Sequence, residues 1–406
     1  MNSGKYMYVG TLFGKGSLSG KGQGVYCLDI TDGTIQEKGF VKGNSLSYVC
    51  KGRNGVLYGV SEVKDFTGLN GSGGGVVALK TNPDGSLTML NSSISYGSRP
   101  CHLTVSQSGR YLLVANHGSH TTVTCSYRKK EDGSYTLERG FDASSIAVFS
   151  IEKDGRIGKL CDLYEMKGKG YWCHGGGQST SHIHCVIERN GLVIGCNRGT
   201  DEIVVCRLDE ETGRLSLLQT YETPAGYAPR MTVFHPFLPL FYVVFENYPA
   251  IGMFQIRQDG TVIMEQMTGT MEQAFYRVHP LPVFEKRHAY IHEVNTCAMM
   301  NHDLPMASDL HVSSDGRLLY VSNRLYGGKG SLSLFHIDSS GDMHLTQVKP
   351  LPGADIRGFG IDEENRWIAA GIMDADMLVL IRYDEDGRLQ EPFAQYTLQS
   401  PSCIIF

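Results

Sequence analysis

Charge is scarce in this chain. Asp, Glu, Lys and Arg make up 19% of its 406 residues, and the formal net charge is -5. That balance argues against nucleic acid as a partner, because nucleic-acid binders usually carry a basic stripe. No run approaches roughly 18 apolar residues, so no membrane span is expected. The opening MNSGKYMYVGTLF lacks the long apolar stretch of a signal peptide. The 11 cysteines form no CxxC pair, which sets aside a zinc ribbon. Cys27, Cys185, Cys196, Cys206 and Cys403 sit inside apolar, strand-like runs and read as buried free thiols. Such thiols fit the reducing cytoplasm. No segment shows a helical period, so helix should be rare. No GxSxG elbow appears, and no Ser stands in a triad pattern.

Glycine is plentiful, at 49 residues. Asp32-Gly33, Asp84-Gly85, Asp154-Gly155, Thr212-Gly213, Asp259-Gly260, Ser340-Gly341 and Asp386-Gly387 are each followed, two residues on, by Ile, Leu, Val or Met. Asp-Gly between apolar runs is a strong hairpin signal, since glycine accepts positive φ. These glycines lie 46 to 81 residues apart, which fits a four-stranded unit that sometimes carries an insertion.

A second repeat runs out of phase with the first. NGVLYGVSE (54–62), SGRYLLVANHG (108–118), NGLVIGCNRG (190–199), FLPLFYVVFEN (237–247), DGRLLYVSNRL (315–325) and ENRWIAAGIMD (364–374) each read as a turn, a strand and a polar residue. KYMYVGT (5–11) looks like a seventh such strand. Each period then holds an inner strand, a turn, a second strand, a loop, a third strand, a hairpin turn and an edge strand. Seven of these units predict an all-β, seven-bladed β-propeller with four-stranded blades, spanning 1–406 as one domain. The final PSCIIF should complete the blade begun by the first three strands, closing the ring. Insertions are expected near 119–143, 166–180 and 268–305, all on one face.

In this layout, residues before each inner strand meet those after each second strand at one mouth. Counting from the turns places His102, His184, Met231 and Asp309 seven residues before, and His182, Arg230 and Arg357 eight or nine before. Glu62, Asn116, His117, Arg198, Glu246, Asn323 and Arg324 follow by seven or eight. A ring of His, Arg, Glu and Asn at such offsets suggests a site. Structural roles compete with that idea. Asn116 and Asn323 could tie turns through their amides. His102 could be a satisfied core histidine. Arg357 could pack against a neighbouring blade. Arg230, Glu246 and Arg324 could form an inter-blade ion-pair set.

These residues make the chain resemble the seven-bladed lactonase family, which includes propeller-type 6-phosphogluconolactonases and 3-carboxy-cis,cis-muconate lactonizing enzymes. The resemblance begins at YVGT (8–11). It continues through RPCHLTVSQSGRYLLVANHGS (99–119), HIHCVIERNGLVIGCNRGTDEIVV (182–205), PRMTVFHPFLPLFYVVFEN (229–247), SDLHVSSDGRLLYVSNR (308–324) and IRGFGIDEENRWIAA (356–370). It implies a His at the third blade, Arg230, Glu246 and Arg324 as functional residues. Met231 stands where the family usually has His, and the 268–305 insertion is atypical.

The expectation is therefore a hydrolase of a small anionic sugar lactone, most simply 6-phosphogluconolactone. His182, with His184 as rival, would do acid/base work. Arg230 and Arg324 would clamp a phosphate or carboxylate, and Glu246 would activate water or orient an imidazole. Glu62, His102, Asn116, Arg198, Asp309 and Asn323 would line the substrate. A lactonizing cycloisomerase and a non-catalytic ligand-binding propeller are the alternatives. No cofactor is expected. No metal is either, because His279, His288, His292 and His302 have no defensible ligand spacing. Oligomeric state is open.

Overall fold

The computed structural model describes residues 5–14, 20–31, 34–119, 124–171, 177–279 and 304–406. Their strands form seven antiparallel four-stranded sheets and two small two-stranded hairpins. Blades are numbered here by their inner strands: Leu46–Lys51 (blade 1), Pro100–Val105 (2), Ile183–Arg189 (3), Pro229–Phe234 (4), Met306–Val312 (5), Ile356–Asp362 (6) and Pro401–Ile405 (7). In blade 7 this last strand pairs with Lys5–Thr11, which pairs in turn with Gly24–Thr31. The first and last strands therefore share a sheet, and the ring closes as the sequence implies. Helix is confined, among the described residues, to Gln273–Val278.

The Asp-Gly turns join third to fourth strands. Asp32-Gly33 lies outside the described residues. The other six glycines have φ between +73° and +95°. These hairpins are wider than two-residue turns. In blade 1 the N–H of Gly85 donates to the carbonyl of Asn82, and Asp84 Oδ1 accepts from Ser86 N–H. Glycine here closes the turn where a Cβ would strain the backbone.

Each second strand is buried because it packs between neighbouring blades. The cluster of Leu113, Ile146, Ile183, Val193 and Val204, for example, fills the space between blades 2 and 3. The tyrosines of the second repeat add latches. Tyr58 donates its hydroxyl to the carbonyl of Gly155, Tyr242 to that of Gly341 and Tyr320 to that of Gly387. Each bond reaches the third-to-fourth-strand turn of the next blade. A large aromatic body is buried while its polar tip stays satisfied. The five strand cysteines noted above are buried and unbridged.

One recurring feature leaves no mark in the residue pattern. Every blade carries a register break at the start of its inner strand, leaving an extra residue. That residue is Ser47, Cys101, His184, Arg230, Arg357 and Ser402 in blades 1, 2, 3, 4, 6 and 7, and the break in blade 5 spans Ser308-Asp309. A bulge re-aims a side chain that a regular pleat would turn elsewhere. The bulges also bond round the axis. Ser402 Oγ donates to the carbonyl of Ser47 at 2.7 Å and the Cys101 thiol to that of His184 at 3.2 Å. Arg230 donates to the carbonyl of Ser308, and Ser308 Oγ to that of Arg357 at 2.9 Å.

Connections from second to third strands, and from fourth strands to the next inner strand, emerge at the bulge end. The hairpin Thr124–Lys129/Tyr135–Gly140 and the helix lie on such connections. Residues 172–176 and 280–303, with His288, His292 and His302, fall outside the described residues. No described helix is long and apolar enough to cross a membrane.

Closure of the ring leaves little room where blade 6 meets blade 7. A Cβ on Gly358 would sit 2.4 Å from the carbonyl oxygen of Ser402, backbone against backbone. Gly358→Ala should therefore lower unfolding stability by about 1–3 kcal/mol. A denaturant midpoint equal to that of the parent protein would contradict this packing.

Candidate active site

Two layers of side chains make the mouth. The first is the bulge ring. The second lies at the ends of the second strands: in blades 1 to 4 it is the residue next after the last inner-paired one, Glu62, His117, Arg198 and Glu246, and in blade 5 it is Arg324, which itself pairs with Met306. In the bulge ring, charged and imidazole groups fall in blades 3 to 6. The bulges of blades 7, 1 and 2 offer the small Ser402, Ser47 and Cys101.

Glu246 is the hub. Its Oε2 lies 2.6 Å from Arg198 Nε, and its Oε1 lies 2.5 Å from an Arg324 terminal nitrogen and 3.5 Å from Arg230 Nε. All four residues are buried. Burial alone would raise the Glu246 carboxyl pKa, but Arg198, Arg324 and Arg230 outweigh it and hold the group well below the carboxylate range. Burial and the charge of Arg324 push Arg230 down to about 10, so it stays protonated at neutral pH. Three guanidiniums thus converge on one carboxylate, with Asp309 and Asp355 adding weaker compensation to Arg230 and Arg324. On the opposite side Glu62 accepts from Ser47 Oγ at 2.6 Å and stands 3.7 Å from Arg357.

The imidazoles lie between blades 2 and 3. His182 Nδ1 is 2.9 Å from the carbonyl oxygen of His117, which can only accept. Nδ1 therefore carries the proton, and Nε2 is the basic nitrogen. The His117 ring stacks on His182 at 4.6 Å and 16°, and meets His184 edge-on at 5.7 Å. Burial, then the charge of Arg198, lowers His182 to about 4. Burial and Arg230 hold His184 well below the usual imidazole range, and its buried Nδ1 has no hydrogen-bond partner among the described residues. Both rings are neutral at physiological pH.

Of the expected site residues, the structure thus brings together His182, His184, Arg198, Arg230, Glu246 and Arg324, with Glu62 across the mouth. Four others take different tasks. Asn116 is buried, and its amide donates to the carbonyl of Ser95 and to Ser145 Oγ. Asn323 donates to Ser331 and Ser333 and accepts from Thr270. The amide NH2 groups of both hold loops to their blades. His102 is a core histidine. Its Nδ1 accepts from Val186 N–H at 3.4 Å, its ring lies 4.3 Å from Tyr48, and burial lowers it to about 3. Asp309 is the second residue of the blade 5 bulge, but its Oδ2 accepts from Phe359 N–H and faces His311, each at 3.3 Å.

Sequence reasoning passed over His117 as a partner of His182, and over Ser47. It counted Arg357 into the mouth, with packing against a neighbouring blade as the competing role. Bulge position was the missing signal. No group of three or more His, Cys, Asp or Glu among the described residues is placed to hold a metal.

Residues 6–406 match the family model described as lactonase, 7-bladed beta-propeller. A 6-phosphogluconolactonase of Bacillus subtilis is 24% identical, covering 99% of this chain and 98% of its own length. Another 6-phosphogluconolactonase, of Formosa agariphila, is 23% identical over 78% of this chain and 77% of its own. Among solved structures, the periplasmic gluconolactonase of Pseudomonas aeruginosa superposes with a TM-score of 0.75 at 20% identity, covering 98% of each chain. A Lactobacillus plantarum protein does so at 0.74 and 20%, over 99% and 98%. At such identities these two structures speak to fold alone.

Two outcomes follow for stability. Glu246→Gln removes the shared counter-charge of three buried guanidiniums and should cost about 3–5 kcal/mol in denaturant unfolding. A loss below about 1 kcal/mol would contradict the hub. His182 has a folded pKa of about 4 against an ordinary 6.5. Its contribution is therefore complete above pH 6.5 and is lost as pH falls from 6.5 towards 4. His182→Asn should flatten the stability–pH curve in that window. A curve of unchanged slope would contradict the burial argument.

Proposed function

Because this chain belongs to the seven-bladed β-propeller lactonase family, we propose that it opens a sugar lactone by attack of water, with the substrate's anionic group resting on Arg198, Arg230 and Arg324. The observation that carries this reading is the convergence of three buried guanidiniums on the single carboxylate of Glu246. Buried cations without full compensation are costly, and a bound anion offsets that cost. Phosphate and carboxylate both suit the guanidinium fork. The relatives named 6-phosphogluconolactonase favour a phosphorylated δ-lactone, 6-phosphogluconolactone, as substrate.

The proton path follows from the tautomer. His182 Nε2 takes a proton from water as its oxygen adds to the lactone carbonyl. The carbonyl oxygen becomes an oxyanion, which Arg230, the least compensated cation, stabilises. The ring C–O bond then breaks, and the same proton passes from His182 to the leaving alkoxide. Water is consumed and a hydroxy acid is formed. Glu246 is a poor base here, because three arginines hold its proton affinity low. It fixes the arginines instead. His184, aimed by its bulge, positions the water or substitutes as base. The unbridged thiols favour a reducing, cytoplasmic setting.

A panel of phosphorylated and plain sugar lactones, followed by acid release, tests the reading. Arg230→Ala should lower kcat/KM for the phosphorylated lactone at least about tenfold, or about 1.4 kcal/mol. His182→Asn should lower kcat by about 10²–10⁴-fold. The acid limb of kcat/KM should fall near pH 4, following His182, and not near 6.5. Full activity in both variants would overturn the assignment.

A further inference from the structure

A second cavity, of about 490 Å³, opens on the face opposite the mouth, between blades 3 and 4. The turns from first to second strands, and from third to fourth, build it. Arg189, Arg207 and Arg257 line it, and no Asp or Glu does. In a chain of net charge -5 that is a local reversal of sign.

Arg189 is held in place. Its guanidinium donates to the carbonyls of His235 at 2.5 Å and Leu238 at 3.4 Å, and lies 4.3 Å over the Phe234 ring. None of these contacts cancels its charge. Arg207 and Arg257 are exposed and form no ion pair among the described residues. Neighbouring carboxylates are committed to their own turns. Glu188 accepts from the N–H groups of Gln107 at 2.6 Å and Gly191 at 2.5 Å. Asp259 accepts from the N–H and hydroxyl of Thr261 at 2.9 and 2.7 Å.

The apolar wall is rigid as well. His235 Nδ1 accepts from the N–H groups of Phe237 at 3.2 Å and Leu238 at 3.0 Å, while Nε2 faces the carbonyl of Gly316 at 3.1 Å. This pins the turn and leaves Phe237 at the rim, 72% exposed. A pre-formed cleft with three forks for an anion and an exposed aromatic beside them has the makings of a small-molecule site.

We propose that this cleft binds a small organic phosphate, at a site distinct from the mouth. The phosphate would rest on Arg189, Arg207 and Arg257, and the organic part on Phe237 and Leu238. Blades 3 and 4, which the ligand would bridge, also supply His184 and Arg230, so occupancy has a short route to the mouth.

Isothermal titration of the full chain with AMP, pyrophosphate and adenosine tests this. AMP and pyrophosphate should bind saturably, and adenosine far more weakly. The double variant Arg207→Ala/Arg257→Ala should weaken both phosphates at least about tenfold, with an unchanged melting temperature because both side chains are exposed. Arg324→Ala, at the mouth, should leave this binding intact. That separates the cleft from phosphate held by the lactone site, and so separates failure here from failure of the lactonase reading. The proposal is overturned if neither phosphate saturates, if the double variant binds like the parent, if adenosine equals AMP, or if only Arg324→Ala abolishes binding.

Discussion

One extra residue at the start of each inner strand governs the mouth. Without that bulge, an antiparallel pair alternates side chains strictly between its two faces. With it, His184, Arg230 and Arg357 gain a direction that the pleat denies them. The same extra residues knit neighbouring inner strands together through Ser402, Cys101, Arg230 and Ser308. Ring closure and site assembly are therefore consequences of one backbone device.

The electrostatics follow from where those directions converge. A single carboxylate facing three guanidiniums is a poor stability element, because the buried charges are only partly cancelled. It makes a good receptor for an anion, since the binding groups are already desolvated and oriented. The same dryness lowers both histidines, keeping them neutral and able to accept a proton at physiological pH. Cations on blades 3 to 5 and imidazoles between blades 2 and 3 thus divide binding from proton transfer, while the small residues of blades 7, 1 and 2 leave room for the sugar.

Much of this was legible in the residues. The period of the glycine turns and the apolar second strands announced seven four-stranded units, and PSCIIF against KYMYVGT announced closure. Arg198, Glu246 and Arg324 stood out because charged residues ended strands that otherwise finish in neutral ones, and Arg230 because it stands at the start of an inner strand. The bulge was not legible, and it misaligned the counting. Blade 3 turns through two residues between its first and second strands, Asn190 and Gly191, whereas blade 2 uses five, from Ser106 to Arg110. Equal distance from the glycine therefore grouped His102 with His184, although the residue equivalent to His184 in blade 2 is Cys101. Asn116 and Asn323 ended the right strands, but a short amide at that position reaches the adjoining loop before it reaches the axis. His117 was missed as a partner because its carbonyl, not its ring, sets the tautomer of His182, and backbone roles leave no trace in residue type.

The most direct measurement is a crystal structure with the ring-opened product, 6-phosphogluconate, bound. The account predicts the phosphate against Arg230 and Arg324 and the new carboxylate beside Nε2 of His182. A product seated away from the mouth, with Glu246 and its three arginines untouched, would contradict it.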